Sequence, residues 1–185
     1  MTINQLQDEI IEDFAIFDDW FDKYSRIIEL GNELTAFPDD KKLPENLIEG
    51  CQSKVWIDAH LDDNGHVIFA GDSDAVIVKG ILALLLHVVN DHTPQEIIET
   101  DLYFINEIGL KEHLSPTRSN GLLAMVKQIK FYAIAFQASS KAWFAIKSQK
   151  NTLNHMLDWG YFLSITTQKK EHLLQFIVLL SYKEI

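Results

Sequence analysis

Apolar positions recur at helical spacing from the start of the chain: Ile10, Ile11, Phe14, Ile16 and Phe17, then Trp20, Phe21, Tyr24, Ile27, Ile28 and Leu30. The pattern predicts two amphipathic helices, or one broken near Asp18 and Asp19, with Gly31 as the stop. Residues 34–46, LTAFPDDKKLPEN, carry two prolines and an Asp-Asp-Lys-Lys run and read as loop. The period then changes from helical to alternating. Val55, Ile57, Ala59 and Leu61 alternate with Trp56, Asp58, His60 and Asp62, Asn64-Gly65 follows, and VIFAG resumes the run. That is the pattern of a β-hairpin with a turn glycine. A short strand at 46–49, NLIE, would add a third member to a small antiparallel sheet.

Past the hairpin, GDSDAVIVKGILALLLHVVN reads as a strand end running into a buried helix. Asp72 or Ser73 suits its N-cap, and Asp74 then falls in the first turn, where a carboxylate complements the helix dipole. Thr93-Pro94 opens a run of short helices, and Ser115-Pro116 opens a long one. On that last helix Leu122, Met125, Val126, Ile129, Tyr132, Ala133 and Phe136 share one face.

Composition and charge narrow the classes of function. The chain of 185 residues is 47% hydrophobic and 23% charged, the balance of a globular protein able to bury one core. Its formal charge of −11 opposes binding to a phosphate backbone, so nucleic acid is not an expected partner. The apolar runs at 81–89 and 176–180 fall well below the ~20 residues of a membrane span. A single cysteine makes no internal disulfide, and MTINQLQDEIIEDF lacks the layout of a secretory signal; the expected setting is a reducing, cytoplasmic one. Charge is uneven along the chain. Residues 1–50 carry 13 acids and 4 bases, residues 51–139 carry 11 and 6, and residues 140–185 carry 3 and 6. The last stretch is therefore read as an appended segment.

Cys51 is the residue of greatest chemical interest. It lies in the link between the short strand and the hairpin, where Gly50 can take a positive φ and project its neighbour from the loop. From the residues alone, a small buried hydrophobe and a reactive thiol remain equal alternatives. Asp72-Ser73-Asp74 is better explained by capping than by a metal, and His87 and His92 lack the thiolate or second histidine pair that zinc requires. No metal is expected. Arg118, in the first turn of a helix where a cation is unfavourable, suggests a tertiary partner such as a carboxylate, with simple solvation as the alternative.

Three segments in fixed order, GCQSKVW at 50–56, GDSDAVIVKG at 71–80 and LSPTRSNGL at 114–122, resemble the SufE family of sulfur acceptor proteins, as does YSRIIELGNEL at 24–34. The resemblance covers roughly residues 8–137. It implies an α+β fold, a small antiparallel sheet covered by helices and shared with the U-type scaffolds. It further implies a carrier that takes sulfane sulfur from a pyridoxal-phosphate cysteine desulfurase (SufS-like), holds it as a persulfide on Cys51, stimulates the desulfurase and delivers the sulfur to an iron–sulfur scaffold complex (SufBCD-like). Such a protein is a sulfurtransferase-type accessory without independent turnover and needs no cofactor of its own. Gly50, Gln52, Ser53, Asp74 and Arg118 fall in the same segments and are the loop and docking candidates, with Lys54 and Arg118 as the cations nearest the thiol and Trp56 as an apolar shield.

Two other classes compete with this reading. A cluster scaffold needs several thiolates to hold iron, and this chain has one. A cysteine-dependent hydrolase or other thiol enzyme would pair Cys51 with a histidine base, but none of the seven histidines sits in a recognisable motif with it.

The expected organisation is a SufE-like domain at 1–139 and a C-terminal helical extension at 140–185. Trp143, Phe144, Ile146, Leu153, Met156, Leu157, Trp159, Tyr161, Phe162 and Leu163, then Leu173, Leu174, Phe176, Ile177, Leu179 and Leu180, make the extension too apolar for a disordered tail. Two helices folding back on the acidic domain are expected, a self-association surface giving a homodimer is the alternative, and an altered reading frame is the third reading. His155 and His172 are isolated there, so the segment is assigned no chemistry.

Overall fold

The protein is described by a computed structural model over residues 1–150, with side chains through residue 139. The expectations for the extension lie outside the described residues, apart from the helical backbone that reaches Lys150. Residues Met1–Ile134 form one compact unit.

The first two helices are α1, Ile3–Ala15, and α2, Trp20–Glu33. The break falls where the sequence puts it, and its cause is Asp19, the N-cap of α2, whose side chain accepts from the backbone of Asp22 at 3.0 Å. Gly31 is not the stop. The helix runs on to Glu33, and Gly31 serves instead as the point where α2 lies against the backbone of Gly80.

The hairpin consists of β1, Val55–Leu61, and β2, Val67–Ser73, antiparallel in a register that pairs Val55 with Ser73 and Leu61 with Val67. Its turn is held by Asp62, whose carboxylate accepts from the backbone N–H of Asn64 and His66, while Gly65 takes φ +83°. Val55, Ile57, Val67 and Phe69 are buried and form the inner face. The expected third strand shrinks to one bridge, Leu47 with Trp56, and a bond from the Ile48 N–H to the Val55 carbonyl at 2.8 Å. Pro44 and the 3₁₀ turn Pro44–Asn46 occupy the residues a longer strand would need.

On its other edge, β2 is closed by the turn at 90–92. The Asn90 amide both accepts from and donates to the backbone of Phe69, and Val67 bridges to His92. A two-stranded ribbon is marginal alone, and these side-chain and bridge partners supply what neighbouring strands would.

Helix α3, Val76–Val89, crosses the inner face and buries ten of its fourteen residues. The short helices α4 (Pro94–Glu99), α5 (Phe104–Glu107) and α6 (Leu110–His113) follow, α4 opened by the expected Thr93 cap, here a reciprocal capping box with Glu96. Buried Gln7 on α1 locks this region: its amide donates to the Asp101 carbonyl at 3.0 Å and accepts from the Phe104 N–H at 3.2 Å.

Helix α7, Pro116–Lys150, passes position 139 without a break. Leu122, Met125, Ile129 and Ala133 are buried, as the 3.6 period requires, and the Tyr132 hydroxyl donates to the Ile57 carbonyl of β1 at 3.0 Å. The result is an α+β fold, a small antiparallel sheet covered by helices. Among the described residues no helix is long and apolar enough to cross a membrane.

Asp72 is not a cap. It lies within β2 and binds Lys79 of α3 at 2.9 Å and Lys42 of the preceding loop at 3.1 Å. Burial pushes its carboxyl up, but the bonds from Lys79 and Lys42 outweigh that and hold it below its ordinary 3.8. Because the folded value is depressed, the stability it contributes is complete above that ordinary value and fades as pH falls through the folded one. Asp72→Asn is expected to lower unfolding free energy by about 1 kcal/mol at neutral pH and to flatten the acid limb of the stability profile below pH 3.8. Denaturant midpoints measured across pH check both; an unchanged acid limb would remove Asp72 from this role.

Candidate functional site around Cys51

Three stretches distant in sequence meet at Cys51: the loop 51–53, the β2–α3 link with the first turn of α3 at 74–78, and the first turns of α7. They enclose a cavity of about 560 Å³. Its floor is apolar, made by Ile81 of α3 and Met125 of α7, each only 1% exposed. Its rim is polar, with Ser53, Asp74, Thr117 and Arg118. Cys51 is the free thiol in this wall, half-buried.

Gly50 takes φ +86°, as the sequence suggested, and nothing lies within 4 Å of where its Cβ would be. The glycine is there for its backbone angle alone. The chain turns sharply at that point and then re-enters the sheet at Val55. Asp74 fixes the return. Its carboxylate accepts from the Lys54 N–H at 2.9 Å, and its own N–H donates to the Lys54 carbonyl at 3.2 Å. Ser73 adds a bond from its hydroxyl to the same carbonyl at 2.9 Å.

These bonds correct the capping assignment. Helix α3 starts at Val76, two or three residues later than a cap at Ser73 or Asp72 would place it, its N-cap is Ala75 and no side chain caps it. Ser73 instead ends β2, and Asp74 is spent on the cysteine loop. Local sequence could not separate the two roles, because an aspartate before a helix can turn toward the helix or away from it. Only the position of Lys54, twenty residues upstream, decides.

The other candidates divide. Gln52 and Ser53 line the cavity beside Cys51. Arg118 also lines it, with an exposed side chain that forms no ion pair among the described residues, so the carboxylate partner suggested for it is not found there. Lys54 contributes its backbone, and its side chain is not part of the cavity wall. Trp56 is also elsewhere, on the face of the hairpin where Lys42 stands over its ring at 5.8 Å. The neighbour that shelters the thiol is Gly121, in the second turn of α7. Gly121, Ile81 and Met125 do not stand out as site residues in the sequence; an isolated glycine inside a helical pattern is the available signal for the first.

The family model of the SufE domain, described as Fe-S metabolism associated, matches residues 8–133, more than half of the chain. The chain belongs to the SufE family. Its fold is also similar to a solved structure, the solution structure of a hypothetical protein from Thermus thermophilus, with a TM-score of 0.60 and 19% identity over 72% of this chain and 96% of that one. At that identity the likeness speaks for the fold alone. For this SufE-family chain the matched region includes every residue that lines the cavity. Family membership associates the protein with iron–sulfur metabolism.

Elsewhere, Asp62, His66 and Asp91 bring three ligand-type atoms together beside the hairpin turn. His66 Nδ1 lies 2.9 Å from the Asp91 carboxylate, and that bond holds the imidazole's pKa above its ordinary 6.5. All three belong to the turn and the sheet-closing segment, where they are accounted for by backbone and ion-pair bonds.

Proposed function

We propose that this protein is a sulfur carrier that takes sulfane sulfur onto Cys51 from a cysteine desulfurase, stimulates that enzyme, and passes the sulfur on to iron–sulfur cluster assembly. The observation that carries the reading is a lone thiol at the mouth of an apolar-floored cavity, on a tightly anchored loop, in a member of this family.

The transfer is an exchange at sulfur. The Cys51 thiolate attacks the outer sulfur of the donor persulfide, a new S–S bond forms at Cys51, the donor's S–S bond breaks, and the donor cysteine leaves as a thiolate. Oxidation level is conserved, so neither an oxidant nor a reductant is required. A single thiol suits the task, because a second one nearby would attack the loaded persulfide and release its cargo as sulfide.

The cavity rim sets the Arg118 cation beside the Asp74 carboxylate. The starts of both α3 and α7 contribute to the cavity wall, where the helix dipoles place partial positive charge. The apolar floor keeps water, and the reductants dissolved in it, from the stored sulfur. No histidine is among the residues lining the cavity, so the general base of a cysteine hydrolase has no candidate there.

Incubation with a pyridoxal-phosphate desulfurase and free cysteine is expected to add the mass of a sulfur atom to the protein, lost again on treatment with a thiol reductant. Intact-mass spectrometry reads it directly. No mass gain under conditions where the desulfurase itself becomes loaded would end the carrier reading.

Docking is expected to use the rim. Arg118→Glu should weaken desulfurase binding about tenfold, ~1.4 kcal/mol, and Asp74→Lys should alter it by a comparable factor. Neither should cost more than about 1 kcal/mol of folding stability, since both side chains are exposed and Asp74 forfeits one loop hydrogen bond. Binding isotherms beside thermal melts separate the effects. Losses of equal size in both would make these residues structural.

A further inference from the structure

Gly121 sits where α7 passes Cys51, and it is buried. A Cβ placed on it would meet the Cys51 sulfur at 2.8 Å and the Cys51 Cβ at 3.9 Å, and beyond its own stretch of helix nothing else within 4 Å. The backbone angle of Gly121 lies in the ordinary negative range, and the residue is inside a helix, where glycine is less favourable than alanine. Neither conformation nor packing against the fold calls for glycine here. The missing methyl has one beneficiary, the thiol.

We propose that Gly121 is a positioning residue for Cys51: the bare helix surface forms a niche in which the sulfur rests, and any side chain at 121 turns the thiol outward to solvent. The inference rests on the sulfur-carrier reading for its purpose, though its geometry does not. The displaced group is the sulfur at the far end of a short side chain, which rotation about one side-chain bond moves while the anchored loop backbone stays in place. Sulfur therefore gives way before the helix does. By contrast, the close glycine contacts between α2 and α3 set backbone against backbone, where nothing can swing aside.

For a carrier, this arrangement divides the working cycle in two. With the thiol in the niche, its sulfur faces the cavity bounded by Ile81 and Met125. With the thiol turned out, it is available to a partner. Gly121 sets the balance between these two positions, and so sets how readily the free protein loses or oxidises its sulfur. Gly121→Ala biases the thiol outward while leaving Cys51 itself unsubstituted.

The test uses the full-length protein and two independent readouts. The first is the second-order rate of Cys51 alkylation by iodoacetamide, which needs neither a desulfurase nor any sulfur donor. It should rise several-fold in Gly121→Ala, and further in Gly121→Val, while neighbouring Asn120→Ala leaves it unchanged. The second is the lifetime of Cys51 persulfide against a small thiol reductant, which should fall in the same order. Thermal melting should be unchanged or raised in Gly121→Ala, since alanine is the better helix former. A glycine kept for helix packing would behave in the opposite way, with a lowered melting point and an unaltered alkylation rate, and that result overturns the proposal. If the wild type takes no sulfur from a desulfurase yet Gly121→Ala still raises alkylation, the carrier reading falls while the niche stands. Equal alkylation rates in folded wild type, Gly121→Ala and Gly121→Val refute the niche.

Discussion

Replacing Cys51 with serine is expected to abolish sulfur acceptance and stimulation of the desulfurase completely, with the fold intact. The hydroxyl matches the thiol closely in size, but an alcohol is not ionised at neutral pH and forms no stable S–O analogue of the persulfide under these conditions. The effect on function is therefore loss of the reaction and not a reduced rate. Its effect on stability should be small, within about 0.5 kcal/mol, because the thiol is half-buried and sits on a loop. Intact-mass spectra, desulfurase turnover with and without the variant, and a thermal melt make the comparison. Full stimulation by Cys51→Ser would show that the protein acts on the desulfurase without receiving its sulfur, and the carrier mechanism would be wrong.

The largest loss of stability is expected from Gly80→Ala. A Cβ at Gly80 would run into the Ile27 carbonyl oxygen, with the carbonyl carbon 2.6 Å and the Ile27 Cγ2 2.5 Å away. Reciprocally, a Cβ at Gly31 would lie 2.8 Å from the Gly80 nitrogen. The two helices thus approach through paired glycines, and a methyl on either one must drive α2 away from α3. Alanine's helix preference offsets this by about 1 kcal/mol at most. Over-packing in a close-packed interior costs up to about 3 kcal/mol and sometimes more when backbone must move, so the clash wins. A net loss of about 2 kcal/mol or more follows.

Gly50→Ala provides the contrast, with φ +86° and no neighbour within reach. It should cost only the ~1–2 kcal/mol of a left-handed backbone. Urea unfolding of the two variants ranks them. A Gly80→Ala protein as stable as the wild type would mean that α2 and α3 do not pack this closely.

The elements were mostly legible in advance because they rest on short-range patterns. The alternation through Val55–Leu61, the Asn64-Gly65 turn, the Thr93-Pro94 helix start and the helical face from Leu122 to Ala133 each depend on residues a few positions apart. So does the positive φ of Gly50, which a turn before a strand invites. Cys51 was prominent for the same reason: a lone thiol after a glycine in a polar loop is visible without any fold, and the accompanying segments pointed to the family that the chain belongs to.

The sequence by itself thus determined the hairpin, the helices, the acidic character and the residue on which the proposed chemistry turns. Tertiary structure decided what those residues touch. Asp72 read as a cap and Asp74 as a first-turn carboxylate of α3, yet one is claimed by Lys42 and Lys79 and the other by the backbone of Lys54. Gly31 read as a helix stop and Gly121 drew no reading, but a Cβ on the first would strike the Gly80 backbone and one on the second the Cys51 sulfur. The physical reason is one of range. Hydrophobic period, turn propensity and capping act within a turn or two of the chain, whereas charge pairing and steric exclusion act between whichever atoms folding brings within a few ångströms. The Cys51 niche, joining positions 51 and 121, exists only at that second level.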